Sequence, residues 1–174
     1  MNDLQFNTTA GQTVARHLLV LYGNTGTYAS PVWKPIGKRV EDSSSEMDWQ
    51  EESKKDIFDA TYTTMRTPII TQSFDPCELD SGDEYQVKIW NLAVKDQDAA
   101  ALCAQDLLLV HAYAGDAETG AFAERYPSSM VKPSGLGGEG GGSVGMPIDV
   151  TFGGTREIGY AAVSAGTVTF TKEG

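Results

Sequence analysis

The sequence predicts a mainly β domain with one principal α-helix, a β-sandwich or small barrel carrying long loops, and three observations support this. The chain closes with three short runs of alternating apolar and polar residues, at 146–152, 155–163 and 167–171, and such alternation marks half-buried strands. Feeding them is a tract reading Gly-Leu-Gly-Gly-Glu-Gly-Gly-Gly-Ser-Val-Gly at 135–145. Glycine at that density forfeits folding entropy and offers no side chain to pack, so the tract is a loop, either disordered or ordered by something outside its own subunit. Only one stretch, about 82–95, joins a cap signal to helical spacing.

In chain order, 13–22 is rich in Val and Leu and reads as a strand, broken by Gly23-Asn24-Thr25-Gly26. Residues 33–40 form a second strand with Trp33, Ile36 and Val40 as core candidates, and Pro31 and Pro35 confine it to an edge or a bend. An acidic loop at 41–55 follows. Segments 57–65 and 68–74 have β composition and read as a hairpin, with Ile57, Ala60 or Thr61, Tyr62, Ile69, Ile70 and Phe74 available to pack. Ser81-Gly82-Asp83-Glu84 fits a capping box, and Val87, Trp90, Leu92 or Ala93, and Val94 return at helical spacing up to Lys95. Tyr85, Val87 and Ile89 also fit strand alternation, so the cap decides for helix. Residues 96–105 read as a turn and a short helical piece, 107–113 as a strong strand ended by Ala114-Gly115-Asp116, and 121–126 as a weak strand. In the closing meander Ile148, Val150 and Phe152 share one face, Gly153-Gly154 make a hairpin turn, Ile158, Tyr160 and Ala162 share the next face, and Val168 and Phe170 the last, after a break at Gly166.

At 174 residues the chain fits a single domain, 1–174, large enough to bury a core. Cys77 and Cys103 are its only cysteines, so no disulfide framework exists; one bridge is open, and two free thiols suit a reducing compartment. The start has no basic segment before an apolar run, which argues against a signal peptide. The longest apolar stretches, 18–22 and 107–110, are too short to span a bilayer. Net charge is −11, and 41–59 alone holds eight acids (Glu41, Asp42, Glu46, Asp48, Glu51, Glu52, Asp56, Asp59) against Lys54 and Lys55. Tight phosphate binding needs basic clusters that release counterions, and beyond Lys38-Arg39 and Lys54-Lys55 none exists. The acidic run reads either as a solvated loop or as a surface that must not stick to DNA.

Reactive groups are scarce. His17 and His111 are the only histidines and both fall in apolar strand-like runs, where a satisfied structural imidazole is expected. No His-x-x-x-His or Cys-x-x-Cys spacing supports a metal site, no Gly-x-Ser-x-Gly or Gly-Lys-Ser/Thr supports a nucleophile or P-loop, and Asp80 to Glu84 lacks the spacing of a calcium loop. Gly135, Gly137 and Gly140 make a formal G-x-G-x-x-G, yet the tract runs into Pro147 and a strand instead of the helix a dinucleotide site needs. No catalytic, cofactor or metal residue is assigned, and the chain is expected not to be an enzyme.

The order of these pieces carries a resemblance. Trp33-x-x-Ile36 runs into the acidic, serine-rich Glu41-Asp42-Ser43-Ser44; a β-hairpin ends in Phe74-Asp75-Pro76; one capped helix follows; and the Gly137–Gly142 run precedes Ile148-Asp149-Val150-Thr151-Phe152-Gly153-Gly154-Thr155-Arg156-Glu157-Ile158-Gly159. From Trp33 to Phe170 the chain resembles the major tail proteins, or tail tube proteins, of long-tailed bacteriophages and phage-derived particles. It departs from them where they often place Gly after the first aspartate of the central hairpin: here Asp56-Ile57-Phe58 is followed by Asp59.

The resemblance implies a virion structural protein of the tail that assembles in the host cytoplasm. Six copies would close into a ring, and rings would stack into a tube that conducts genomic DNA without sequence-specific binding or membrane contact. Its partners would be further copies of itself and the tape-measure, tail terminator and distal tail proteins. Four strands from each of six copies, at about 4.8 Å spacing and about 40° tilt, would close a barrel roughly 48 Å across, wide enough for a duplex. The loops 41–55 and 135–145 are expected to be ordered by assembly, with Asp42, Met47, Trp49, Gly138, Gly140 and Gly142 as inter-subunit contacts. The alternative reading is a β-sandwich carbohydrate-binding or adhesin module, which would need its aromatic residues on one exposed platform.

Overall fold

The run Gln105–Asp116 supplies the strongest strand, and its alternation places Leu107 and Leu109 on one face and Leu108 and Val110 on the other. Both faces are buried, so packing lies on both sides of this strand. The computed structural model describes residues 4–116, 120–164 and 166–174; the first three residues, part of the start read for a leader, lie outside them.

The strands are β1 (Leu19–Asn24), β2 (Trp33–Pro35), β3 (Ser45–Asp48), β4 (Glu52–Lys55), β5 (Thr61–Thr64), β6 (Ile69–Phe74), β7 (Gln105–Asp116), β8 (Gly120–Pro133), β9 (Ile148–Thr151), β10 (Glu157–Ser164) and β11 (Thr167–Lys172). Helix α1 (Glu84–Trp90) continues into a wider π turn (Asn91–Lys95), and α2 (Ala99–Leu102) is a single turn. All pairings are antiparallel. One layer runs β2-β1-β7-β8-β10-β11 and the other β3-β6-β9-β8. Strand β8 belongs to both: residues 121–125 pair with β10 and 130–133 with β9.

Between the layers, and under α1, lies a core of Leu21, Phe74, Tyr85, Ile89, Leu107, Leu109, Tyr126, Val131, Ile148 and Val150. The first layer also curls until its edge strands β2 and β11 touch without sharing a ladder, so the curl is an unclosed barrel. It is filled by Trp33, Leu108, Val110, Ala123, Ala161 and Val168. The protein is therefore mainly β with one main helix, as the alternation predicts.

Several elements differ from the sequence expectations. The strand expected at 13–22 begins only at Leu19, after a 3-10 turn at Arg16–Leu18, and runs through Gly23-Asn24. His17 thus sits exposed on that turn and not in a strand. The strand at 33–40 stops at Pro35, which removes a ladder donor; Ile36 and Val40 still pack on the inter-layer core. Asp83, not Ser81, caps α1, accepting from the Gln86 N–H at 3.1 Å after Asp80 has closed a turn on Gly82. The helix buries its Tyr85-Gln86-Ile89 face and leaves Val87 and Val94 exposed, so its apolar stripe is set by the aromatic and isoleucine and not by the valines. Strand β7 runs through Ala114-Gly115-Asp116 by means of a bulge, and β8 reaches Pro133, well beyond 126.

At the C-terminus only β10 and β11 form a hairpin. β9 and β10 do not pair with each other; both pair with β8, and Gly153-Gly154 carries the chain across it at Ser128. A Cβ at Gly153 would come within 2.5 Å of the Ser128 carbonyl oxygen, so this corner needs glycine for close backbone approach and not for a hairpin turn. Ala161, with Gly159, faces the filled curl, while the face of Ile158, Tyr160 and Ala162 stays half-covered or exposed.

At Gly23 helix and sheet approach closely, because a Cβ there would overlap the ring of Tyr85, itself buried. Gly23→Ala is expected to destabilise the fold by about 1–3 kcal/mol through overpacking. Urea unfolding reads this as a lower midpoint at unchanged slope.

Candidate assembly interface

The segment from Ser45 to Phe74 contains one long antiparallel ribbon. At its root β3 pairs with β6, from Ser45 opposite Gln72 to Asp48 opposite Ile69. A bond from Arg66 N–H to Trp49 C=O at 3.0 Å carries the pairing onward, and β4 and β5 then form a two-stranded sheet of their own, Glu52 opposite Thr64 to Lys55 opposite Thr61. This corrects two expectations. The acidic segment 41–55 is not a loop, because it supplies β3 and β4; and 57–65 does not pair with 68–74, because each β-segment pairs with its counterpart on the acidic side.

The shaft is polar. Ser53 and Thr63 hydroxyls meet at 3.0 Å, Lys54 pairs with Glu52 at 3.0 Å, and Lys55 with Asp59 at 2.7 Å. At the tip the Asp56 carboxylate accepts from the N–H groups of Phe58 (2.8 Å) and Ala60 (3.0 Å), and Asp59 takes a left-handed φ of 65°. Aspartate tolerates that conformation because its short polar side chain suits the left-handed region. The turn thrusts Ile57 and Phe58 outward, 92% and 83% exposed. Ala60, Thr61 and Tyr62, read as packing candidates, are exposed as well. Met47, Trp49, Met65 and Ile69 expose further apolar surface along the ribbon, while all eight acids of 41–59 are exposed.

A two-stranded ribbon is marginal in water unless a third strand or another surface supports it, and long bare edges invite pairing. The projecting ribbon therefore has the physical character of a docking arm. Of the contacts expected from sequence, Met47 and Trp49 lie at its root. Asp42 lies beside it, bridged to Asp75.

Gly138, Gly140 and Gly142 lie elsewhere, in the glycine tract. That tract is closed by its own hydrogen bonds: Gly137 and Gly145 exchange both N–H bonds (3.1 and 2.6 Å), and Gly142 N–H reaches Glu139 C=O at 3.0 Å. Leu79 N–H to Val144 C=O and Met146 N–H to Cys77 C=O stitch it to the segment before α1. Backbone pairing and the fully buried Met146 thus supply within the chain what the tract's side chains lack.

Two buried polar clusters fix the sheet behind the arm. Inside the curl Arg125 makes a bidentate pair with Asp106 (2.9 and 2.6 Å) and donates to the Tyr28 carbonyl at 2.9 Å, under the Tyr28 ring. Asn24 donates to Asp106 at 2.8 Å and accepts from the N–H groups of Gly26 and Val32, which ties the 25–32 loop to the cluster. On the opposite face Glu124 accepts from His111 at 2.8 Å, from Tyr126 at 3.2 Å and from Arg156. His111 also bonds the Tyr113 hydroxyl at 2.8 Å, so both its nitrogens are satisfied, as a structural imidazole should be. Cys77 is buried and Cys103 exposed, both free. Among the described residues no group of metal-ligating side chains converges.

Burial alone would raise the Glu124 carboxyl, but the hydrogen bond from His111 and the charge of Arg156 outweigh it and hold it below its ordinary range. A carboxylate depressed in the folded state stabilises it above the unfolded value of about 4.3, and this contribution is lost as the pH falls through the lower folded value. Glu124→Gln is therefore expected to be less stable than the parent at neutral pH and to lose less on acidification below about pH 4. Urea midpoints across that window measure it, and parallel curves would contradict it.

No protein-family model matches the chain, and no curated protein matches it significantly. Solved structures similar to it include the following two. One is a chain of an extracellular contractile injection system, from the PVC sheath-tube complex in its extended state, at 8% identity and a TM-score of 0.49, covering 87% of this chain and 94% of that one. The other is the cap that terminates the tube of the anti-feeding prophage, at 10% identity and a TM-score of 0.49, covering 89% and 96%. Likeness at that level carries no functional argument.

Proposed function

We propose that this chain is the repeating subunit of a phage-tail-like tube. Six copies close into a ring, the rings stack, and the bore passes DNA. The observation that carries this reading is the arm: a self-built ribbon whose apolar tip and bare edges lack cover within their own subunit. A knob on one part of a chain that fits a surface elsewhere on its copy makes a heterologous contact, and such contacts close as rings or run on as filaments. The open edges of β2, β11 and β3 would be covered by neighbours in a ring. The net charge of −11 suits a bore that repels phosphate, an effect reaching about 8 Å at physiological salt. Tape-measure, terminator and distal tail proteins would complete the tube.

The carbohydrate-binding alternative is disfavoured by the aromatic residues. Trp33 is buried in the curl, Trp90 packs on the inter-layer core, and Trp49 sits on the arm, so the tryptophans share no platform. Negative-stain microscopy with mass measurement tests the proposal. Sixfold rings or tubes are expected; monomers at every concentration, with initiator and tape-measure factors supplied, would overturn it.

A further inference from the structure

We propose that residues 4–7 form an exchangeable strand, which lies on its own β7 in the isolated subunit and on the β7 of a neighbouring copy in the assembly; this rests on the tube reading and concerns a surface other than the arm. The receiving surface is a bulge. His111 pairs with Phe122 but Gly115 already with Ala121, so Ala112, Tyr113 and Ala114 leave the ladder with β8 and their backbone groups need other partners. The N-terminal segment supplies them. Phe6 bridges Ala114 in the antiparallel sense, the Asn7 N–H donates to the Tyr113 carbonyl at 2.9 Å, and the Asn7 side-chain amide donates to the Ala112 carbonyl at 3.1 Å. One asparagine thus serves two successive carbonyls. The Phe6 ring stands edge-on to Tyr113 at 5.2 Å, and Tyr113 is fixed from behind through His111, whose other nitrogen bonds Glu124.

The connection to this docked segment is out of proportion to the distance it covers. Asn7 meets β7 at Tyr113, and β1 begins at Leu19 opposite His111, two residues or about 7 Å away along the strand. Eleven residues, 8–18, lie between them. Of these, 9–13 and 15–17 are exposed, and their backbone bonds are local, from Gln12 to Thr9 and from Leu18 to Ala15. Ordering such an excursion costs conformational entropy, and within one subunit it secures only a short, exposed strand. As a tether it has a use. Arg16 anchors its far end by two bonds to the Ser43 carbonyl, and the eight residues before it reach about 26 Å when extended.

Every copy carries the same strand and the same bulge, so the contacts are identical whichever copy supplies the strand. Exchange of an identical element is a low-cost route to association. In a dilute monomer the tether favours the chain's own bulge; between subunits already held side by side, a neighbour's bulge competes at a comparable effective concentration. Exchange then joins copies through the peptide backbone.

A disulfide across the docked pair tests this. Because the Asn7 N–H bonds past them to Tyr113, Phe6 and Ala114 face each other as a non-hydrogen-bonded pair, with Cα atoms about 4.5 Å apart, within reach of a disulfide. Substitution of both by cysteine leaves the bonds of Asn7 in place. In a Cys103→Ser background, a chain carrying both Phe6→Cys and Ala114→Cys is expected to close within itself as a dilute monomer and to give ladders of covalently linked chains when oxidised as rings or tubes. A mixture of the two single variants, assembled together and then oxidised, should give at least about tenfold more covalent dimer than either variant alone. Rings or tubes in which the doubly substituted chain closes only within itself overturn the exchange and leave the tube reading standing. A dilute monomer that fails to close overturns the docking of residues 4–7 on β7. Monomers at every concentration overturn the exchange and the tube reading together.

Discussion

Replacing Ile57 and Phe58 together by aspartate will leave a folded, soluble chain that does not polymerise. Both side chains are almost wholly exposed and touch nothing that holds the fold, so the melting temperature should move little. Assembly should respond strongly. Burying each side chain at an interface contributes about 1.5–3 kcal/mol, so losing both raises the critical concentration by a factor on the order of 10²–10⁴, before the repulsion of two new charges near Asp56 and Asp59 is counted. Sedimentation and microscopy across a thousandfold concentration range read the effect. Tubes forming at parental concentrations would show that the tip is not part of the contact.

Arg125→Met is expected to have the largest effect on stability, about 3–5 kcal/mol, because it leaves the Asp106 carboxylate buried without its counter-charge. In a chain of this size that corresponds to a melting shift of about 6–20 °C. The double variant Arg125→Met with Asp106→Leu should recover much of the loss, since the penalty comes from the stranded charge and not from the missing pair. If the double variant is as unstable as the single, the cluster acts by holding the 25–32 loop, and desolvation of Asp106 is the lesser term.

The alternating C-terminal runs are readable because period-two burial leaves a direct imprint on composition, and Ile148, Val150 and Phe152 are buried as that imprint says; Leu107–Val110 is readable for a different reason, since burial on both faces leaves a continuous apolar run. Pairing partners were harder to read. The sequence suggests that neighbours pair, yet β9 and β10 both turn to β8, and a 14-residue strand divided between two layers leaves no local signal apart from Gly153-Gly154. The arm was hidden for a related reason. Its β4 strand, Glu-Ser-Lys-Lys, has no apolar face, so acidity and polarity imitate a loop. Its β character comes from cross-strand pairing alone. At the apolar tip Ile57 reads as a packing candidate because an exposed isoleucine looks the same in sequence as a buried one, Phe58 carries no signal of its own, and on the ribbon only the root residues Met47 and Trp49 stand out as contacts. In the glycine tract, composition signalled poor packing but could not reveal that Gly137 and Gly145 would pair their backbones.

Because β8 is one covalent strand serving both layers, the domain has a mechanical seam. A pull on the arm enters at β3, passes through the ladders to β6 and β9, and reaches the second half of β8; from there the peptide backbone itself delivers it to the curl. The layers cannot slide past one another without breaking that strand's pairing, so tension along a stack of such subunits would be borne by the whole domain in series and not by a flexible joint. Stretched from the arm, a subunit should yield in a single rupture.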